Sequence, residues 1–207
     1  MVGDVYTIAG GKGGVGKTTT AMNAGVALQE AGHETLIVDA DLGMTNLGAV
    51  LGIDGEPLLH DVLAGEADPA DATVDGPSGV DILVDEGSLE AFAKAEPTNL
   101  RPLLEHLAEE YEFVLVDTGA GISHETIEPM KASDGIVLVT TPDEVAIRDA
   151  RKIGELGDRV ETGVAGVVVT RATADTRVEV VEEKVGADVL AVVPEDQTAT
   201  SDEPLVV

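Results

Sequence analysis

The chain has 207 residues, with 12 Lys and Arg against 40 Asp and Glu, a formal net charge of −28 and a pI near 4.1. Self-repulsion on that scale works against a compact state in dilute salt. With 2% aromatic residues and few lysines, it points to a halophilic protein and away from a nucleic-acid binder, which needs clustered Lys and Arg to displace counterions. Cysteine is absent, which excludes disulfides and thiolate metal sites. No basic and apolar leader opens the chain and no apolar run is long enough to span a bilayer, so a cytoplasmic location is expected.

The first apolar run, Val5 to Ala9, reads as a strand and is followed by Gly10-Gly11-Lys12-Gly13-Gly14-Val15-Gly16-Lys17-Thr18-Thr19 and a helix-like stretch, Thr20–Ala31. Glycines let backbone N–H groups turn inward, and a helix start adds partial positive charge, so this loop reads as a phosphate cradle. From Gly11 to Thr18 it fits G-x-x-x-x-G-K-[ST], which sets Lys17 on the β- and γ-phosphates and the Thr18 hydroxyl on Mg²⁺. A second buried strand, Glu34–Asp39, exits through Asp39-Ala40-Asp41-Leu42-Gly43. Residues 44–79 are punctuated by Gly and Pro, with short helices expected near Leu47–Leu51 and Leu58–Ala64. Then follow a strand at Val80–Val84, a helix at Leu100–Glu110 with Leu103, Leu104 and Leu107 on one face, and a strand at Phe113–Val116 closed by Asp117-Thr118-Gly119-Ala120-Gly121. Further strands are expected at Ile136–Thr140, Val164–Thr170 and Val189–Val193, with helices around Glu144–Leu156 and Asp175–Val185.

Strands that alternate with helices and are apolar on both faces predict an α/β fold, a doubly wound, mostly parallel sheet with helices on both faces, in one domain over residues 1–207. Ligands of such sheets lie at the carboxyl ends of the strands. The phosphate loop, Asp39–Gly43, Asp117–Gly121, Thr170-Arg171 and Pro194-Glu195-Asp196 all follow predicted strands, so they are expected to meet on one nucleotide. Asp39 and Asp41, two apart in extended chain, project to the same face. Asp117 ends its strand as a Walker B acid does, where it holds Mg²⁺ through water. The bases Arg148, Arg151, Lys152 and Arg159 are interleaved with acids and read as a solvated helix face, and His33, His60, His106 and His124 as ordinary surface or helix-end residues.

The loop has a lysine, Lys12, that an ordinary phosphate loop does not need. K-G-G-V-G-K-T-T resembles the deviant Walker A motif of the MinD/ParA group of P-loop ATPases, and Asp39–Gly43 and Asp117–Gly121 resemble its two switches. The resemblance runs from Val5 to Pro204. It implies ATP and Mg²⁺ as cofactors and a homodimer that forms on ATP, with Lys12 reaching the partner's phosphates. It implies phosphate contacts from Gly11, Lys12, Gly13, Gly14, Val15, Gly16, Lys17, Thr18 and Thr19, with Asn46 in the first switch touching phosphate or partner. Asp41 would position the attacking water, Asp39 would steady the Mg²⁺ shell beside Thr18 and Asp117, and Thr170, Arg171, Pro194 and Asp196 would frame the adenine.

Absent cysteines exclude the group's iron–sulfur and metalloid members. What remains is a positioning ATPase, MinD-like, whose dimer recruits an effector or adaptor protein. The alternatives are a ParA-type DNA partitioner, disfavoured by the charge, and a nucleotide-gated scaffold without turnover. MinD continues into a last helix and a basic membrane-binding helix, whereas this sequence stops at Val207 after Asp202-Glu203. The resemblance therefore implies no autonomous membrane binding, and recruitment to a membrane or pole through a partner.

Overall fold

Periodicity-two strands with both faces apolar need helices above and below them, and the architecture supplies both layers. The computed structural model describes residues 2–41, 47–53, 55–85 and 97–196. In chain order the elements are β1 (Asp4–Ala9), α1 (Lys17–Glu30), β2 (Thr35–Asp39), α2 (Leu47–Leu51), α3 (Leu59–Leu63), α4 (Pro69–Ala72), β3 (Thr73–Asp75) and β4 (Asp81–Leu83). There follow α5 (Leu100–Glu110), β5 (Phe113–Asp117), α6 (His124–Ala132), β6 (Gly135–Thr140), α7 (Glu144–Arg159), β7 (Val164–Ala172), α8 (Val178–Val185) and β8 (Val189–Pro194).

The eight strands form one sheet in the order β3-β4-β2-β5-β1-β6-β7-β8, parallel throughout except for β3, which runs antiparallel to β4 at one edge. Side-chain alternation sorts the core. Leu36 and Val38 of β2 join Val114 and Val116 of β5 on one face, under Leu103, Leu104 and Leu107 of α5 and Leu59 and Leu63 of α3. Ile37 and Leu115 point to the other face and pack with Ile8 against Ala21 and Met22 of α1. Ile136, Leu138, Val167 and Val169 continue the core under Ile147 and Ile153 of α7 and Val181 of α8. Each such leucine or isoleucine contributes about 1.5–3 kcal/mol by leaving water.

The first crossover, through α1, leads to β2 on one side of β1, while β6 packs on the other. That reversal opens a crevice at the carboxyl end of β1, where a doubly wound sheet takes its ligand.

Several elements differ from the sequence expectation for local reasons. Helix α1 starts at Lys17 rather than Thr20, so the end of the glycine loop is itself the first helical turn. Helix α6 was not expected, because Pro129 in its interior is a helix-breaking signal. β3 and α4 are only three and four residues long, too short to leave a periodic trace. β7 runs on to Ala172, which places Thr170 and Arg171 within the strand rather than after it. Asn46, the Leu42-Gly43 part of the first switch and Pro204–Val207 lie outside the described residues.

Candidate functional site

A helix of 14 residues leaves its first backbone N–H groups without intrahelical partners, and a side-chain cap or an acidic first turn normally answers them. α1 has neither: Gly16 at its N-cap makes no side-chain hydrogen bond, and the first turn holds no acid. α7, by contrast, is capped by Asp143, whose Oδ1 accepts from Ala146 N at 3.0 Å. The start of α1 is therefore built to receive an anion from outside. The loop reaches it through two left-handed glycines, Gly14 at φ 73° and Gly16 at φ 93°, a conformation that L side chains rarely adopt. Gly11 is needed for a different reason, since a Cβ there would stand 2.5 Å from Asp149 Cβ and 2.6 Å from the Asp149 carbonyl carbon on α7.

The two lysines of the loop face different surroundings. Lys17 is 8% exposed, and its charge acts on Asp117. Lys12 is exposed, within electrostatic reach of Asp143 and Asp149 on α7. Asp143 is held below the usual carboxylate range first by the Thr141 hydroxyl, then by the Ala146 amide, with Lys12 adding to both. Asp149 is lowered first by its bond from Lys152.

Neighbouring exits are stitched to one another. The Thr118 hydroxyl donates to Ile8 O at 3.0 Å, Ala40 N donates to Asp117 O at 2.8 Å, and Gly121 N donates to Gly10 O at 3.2 Å. In register, Asp39 stands directly across from Asp117. Both are 2% exposed, and each keeps one carboxylate oxygen, Asp39 Oδ2 and Asp117 Oδ1, without a hydrogen-bond partner. Burial pushes the Asp117 carboxyl up to about 6, against the opposing effect of a hydrogen bond from Thr18 and the charge of Lys17. Burial raises Asp39 as well, then the neighbouring charge of Asp117. Two orphaned carboxylate oxygens beside the Thr18 hydroxyl are the donor set of a hard divalent cation, so the residues present fit Mg²⁺. Asp41 completes the group: its amide donates to Asp39 Oδ1 at 3.3 Å, and its Oδ1 lies 3.0 Å from where a Cβ on Gly119 would be.

The expected adenine frame divides. Pro194 and Asp196 are exposed at the end of β8. Arg171 is exposed in a left-handed conformation, φ 50°, where the β7–β8 register shifts between Val169 and Ala172. Thr170 is instead buried, and its hydroxyl serves the protein itself. It lies 2.6 Å from Val15 O and 3.2 Å from Thr140 O, 155 residues from the loop it braces. No sequence pattern signals that contact.

Of the histidines, His33 pairs with Glu112 in the open and His106 is exposed, but His60 is not the ordinary surface residue expected: it is 5% exposed and lies between Asp61 and Asp85. The periodicity of so short a helix as α3 gave no sign of its buried face. Arg148, Arg151 and Lys152 each sit within 4 Å of an acid on the same helix, as the interleaved charges suggested. Among the described residues no group of three or more His, Asp or Glu forms a preassembled metal cage, and no helix is long and apolar enough to cross a membrane.

An uncapped helix start behind a left-handed glycine loop, at the switch point of a parallel sheet and flanked by two strand-end carboxylates, defines a P-loop nucleotide-binding protein. The chain belongs to the CobQ/CobB/MinD/ParA nucleotide binding domain family, whose model matches residues 6–203. It is 38% identical over 208 residues to an uncharacterized ATP-binding protein of Methanocaldococcus jannaschii, covering 97% of this chain and 79% of that protein. The septum site-determining protein MinD of Pyrococcus horikoshii, solved in complex with Mg-ADP, superposes with a TM-score of 0.87 at 35% identity, covering 93% of this chain and 82% of that one. The MinC:MinD cell division complex of Aquifex aeolicus gives a TM-score of 0.85 at 27% identity, covering 97% of this chain and 87% of that one.

The Thr170 brace yields a test. Thr170→Val keeps the side-chain shape but leaves the Val15 carbonyl without its donor, a loss of about 1–3 kcal/mol that falls on the loop. Nucleotide affinity, read by titration with a fluorescent ADP analogue, is expected to weaken about tenfold, while Thr170→Ser stays near wild type. Equal affinity in all three proteins would remove Thr170 from the site.

Proposed function

We propose that this chain is a MinD-like Mg²⁺-dependent ATPase, a single domain over residues 1–207 that dimerises on ATP, hydrolyses it slowly and thereby controls the placement of another cellular structure. The observation that carries this reading is the contrast between the two loop lysines, Lys17 buried in its own site and Lys12 turned to solvent. A lysine at the apex of a phosphate loop that does not enter its own cradle is placed to serve a second one.

The backbone N–H groups at residues 11–19 would cradle the phosphates, and Lys17 would neutralise the γ-phosphoryl. Mg²⁺ would be held by Thr18 and Asp117, with Asp39 on its water shell; when bound it supplies charge neutralisation at the phosphate oxygens. Asp41, with its amide on Asp39 and its carboxylate beside Gly119, would orient the attacking water. Lys12 of the partner subunit would add the last positive charge, so that the second subunit completes each site. Arg171, Pro194 and Asp196 frame the base. Two exposed apolar residues, Ile122 at 60% and Val145 at 48%, follow the strands on either side of β1 and offer the contact area of a face-to-face dimer. The effector is a protein, a reading supported by the complex that the Aquifex aeolicus MinD forms with MinC. The net charge of −28 sets the working medium, high salt, and stands against a nonspecific DNA partner.

The direct test is phosphate release from ATP with and without Mg²⁺ in molar KCl. Slow Mg²⁺-dependent release is expected, abolished in Lys17→Ala. Binding without release, with the native partner present, would leave a nucleotide-gated scaffold instead.

A further inference from the structure

Buried carboxylate–imidazole pairs are weak sources of stability, because desolvating both partners offsets their attraction. This chain has such a pair in its interior. His60 Nδ1 lies 2.5 Å from Asp85 Oδ1 and its Nε2 lies 3.4 Å from Asp61 Oδ1, with His60 and Asp85 5% and 3% exposed. Asp61 is committed to α3 itself, its Oδ2 accepting from Leu58 N at 3.0 Å. Asp85 is not part of α3. It follows β4, the neighbour of β2 in the sheet, with Val38 across from Leu83.

The end of β4 is contacted from two directions. On one side Leu59 N donates to Val84 O at 2.9 Å, which joins it to α3 where His60 grips Asp85. On the other side it is the seat of α2: a Cβ on Gly48 would be 3.6 Å from Val84 Cγ2 and 3.7 Å from Asp85 O, and Leu47 is buried in the same cluster as Val84. The Asp85 charge also acts on Asp39, at the end of the next strand. α2 is the first described element after Asp41, and the end of β4 is what it rests on.

We propose that His60 and Asp85 are positioning residues of the nucleotide site, a buried pair that locks the end of β4 as the seat of α2 and so sets how α2 stands relative to Asp39 and Asp41. The effect on turnover rests on the ATPase reading above; the seating itself is read without nucleotide.

The test compares wild type, His60→Leu/Asp85→Leu, His60→Asn and His60→Gln by amide exchange, ATP affinity and turnover. In the doubly apolar variant the thermal midpoint is expected within about 3 °C of wild type. The amides of residues 47–53, including the Ile53 N–Gly48 O bond, should nevertheless exchange about tenfold faster, with β2 and β5 unchanged. Turnover should fall about tenfold at unchanged ATP affinity, the signature of a lost positioning contact. His60→Asn places an amide N–H where Nδ1 stands and should restore both readouts. His60→Gln displaces its donor from Asp85 and should not, and this pair of variants decides the matter if the double variant does not fold. Wild-type exchange at 47–53 in the double variant, a uniform rise across the sheet, or equal behaviour of Asn and Gln would overturn the proposal. If wild type itself releases no phosphate, the ATPase reading fails, while the exchange comparison still decides the seating.

Discussion

Asp117→Asn is expected to raise the stability of the nucleotide-free protein while destroying its activity. Asp117 is 2% exposed, its Oδ1 has no partner, and burial lifts its pKa to about 6. A folded pKa above the unfolded value means that the folded state holds the proton more tightly. Stability from this group is thus present at low pH and lost as pH rises from about 4 through about 6, at a cost of about 3 kcal/mol by neutral pH. Asparagine keeps an acceptor for the Thr18 hydroxyl and carries no charge to desolvate. Without Mg²⁺, at fixed high KCl and pH 7.5, its melting temperature should exceed that of wild type by roughly 5–10 °C. Its stability should also lack the decline that Asp117 causes between pH 4 and 6. Turnover should fall by about 100-fold or more, since the cation loses its protein acid. A variant that melts below wild type, or whose pH dependence is unchanged, would show that burial of this carboxylate costs nothing. The site would then be ordinary structure rather than a charge held in place for a cation.

The parts of this site that were legible in sequence are those written into contiguous chain. Gly11 to Thr18 is continuous and was legible as a glycine loop that leads into a helix, although the left-handed turns at Gly14 and Gly16 and the start of α1 at Lys17 came from the structure. Asp39 and Asp117 were legible as strand ends, and register sets them opposite each other. The contacts that brace the site were not legible, because they join residues far apart in the chain: Thr170 with Val15, Asp149 with Gly11, His60 with Asp85. Composition and periodicity describe a residue's neighbours along the chain, whereas these side chains act on neighbours that the sheet order brings together. Thr170 shows the cost of reading position without packing. Its place near the end of β7 suggested a base contact, yet its hydroxyl is spent on the loop. His60 shows the converse, a polar residue in a short helix whose burial only the fold reveals.

Sedimentation of Lys12→Ala and Asp41→Ala beside wild type, with ATP, ADP or no nucleotide in molar KCl, should separate the two halves of the proposed switch. Lys12 is exposed, and among the described residues its charge acts on Asp143, the cap of α7, and on Asp149 within it, so removing it leaves Lys17, the glycine turns and the start of α1 untouched. Its loss should spare ATP binding and weaken the ATP-dependent dimer by on the order of 100-fold, the scale of truncating one partner of a desolvated charge pair. Asp41 lies on the other side of the site, its amide on Asp39 and its carboxylate against Gly119. It is not part of the phosphate cradle, so Asp41→Ala should bind ATP, dimerise and then persist as a dimer, with turnover lower by about 100-fold or more. Opposite behaviour of two substitutions on one ligand is hard to obtain from a general loss of folding. If both variants dimerise with ATP as wild type does, Lys12 serves no phosphate in a second subunit.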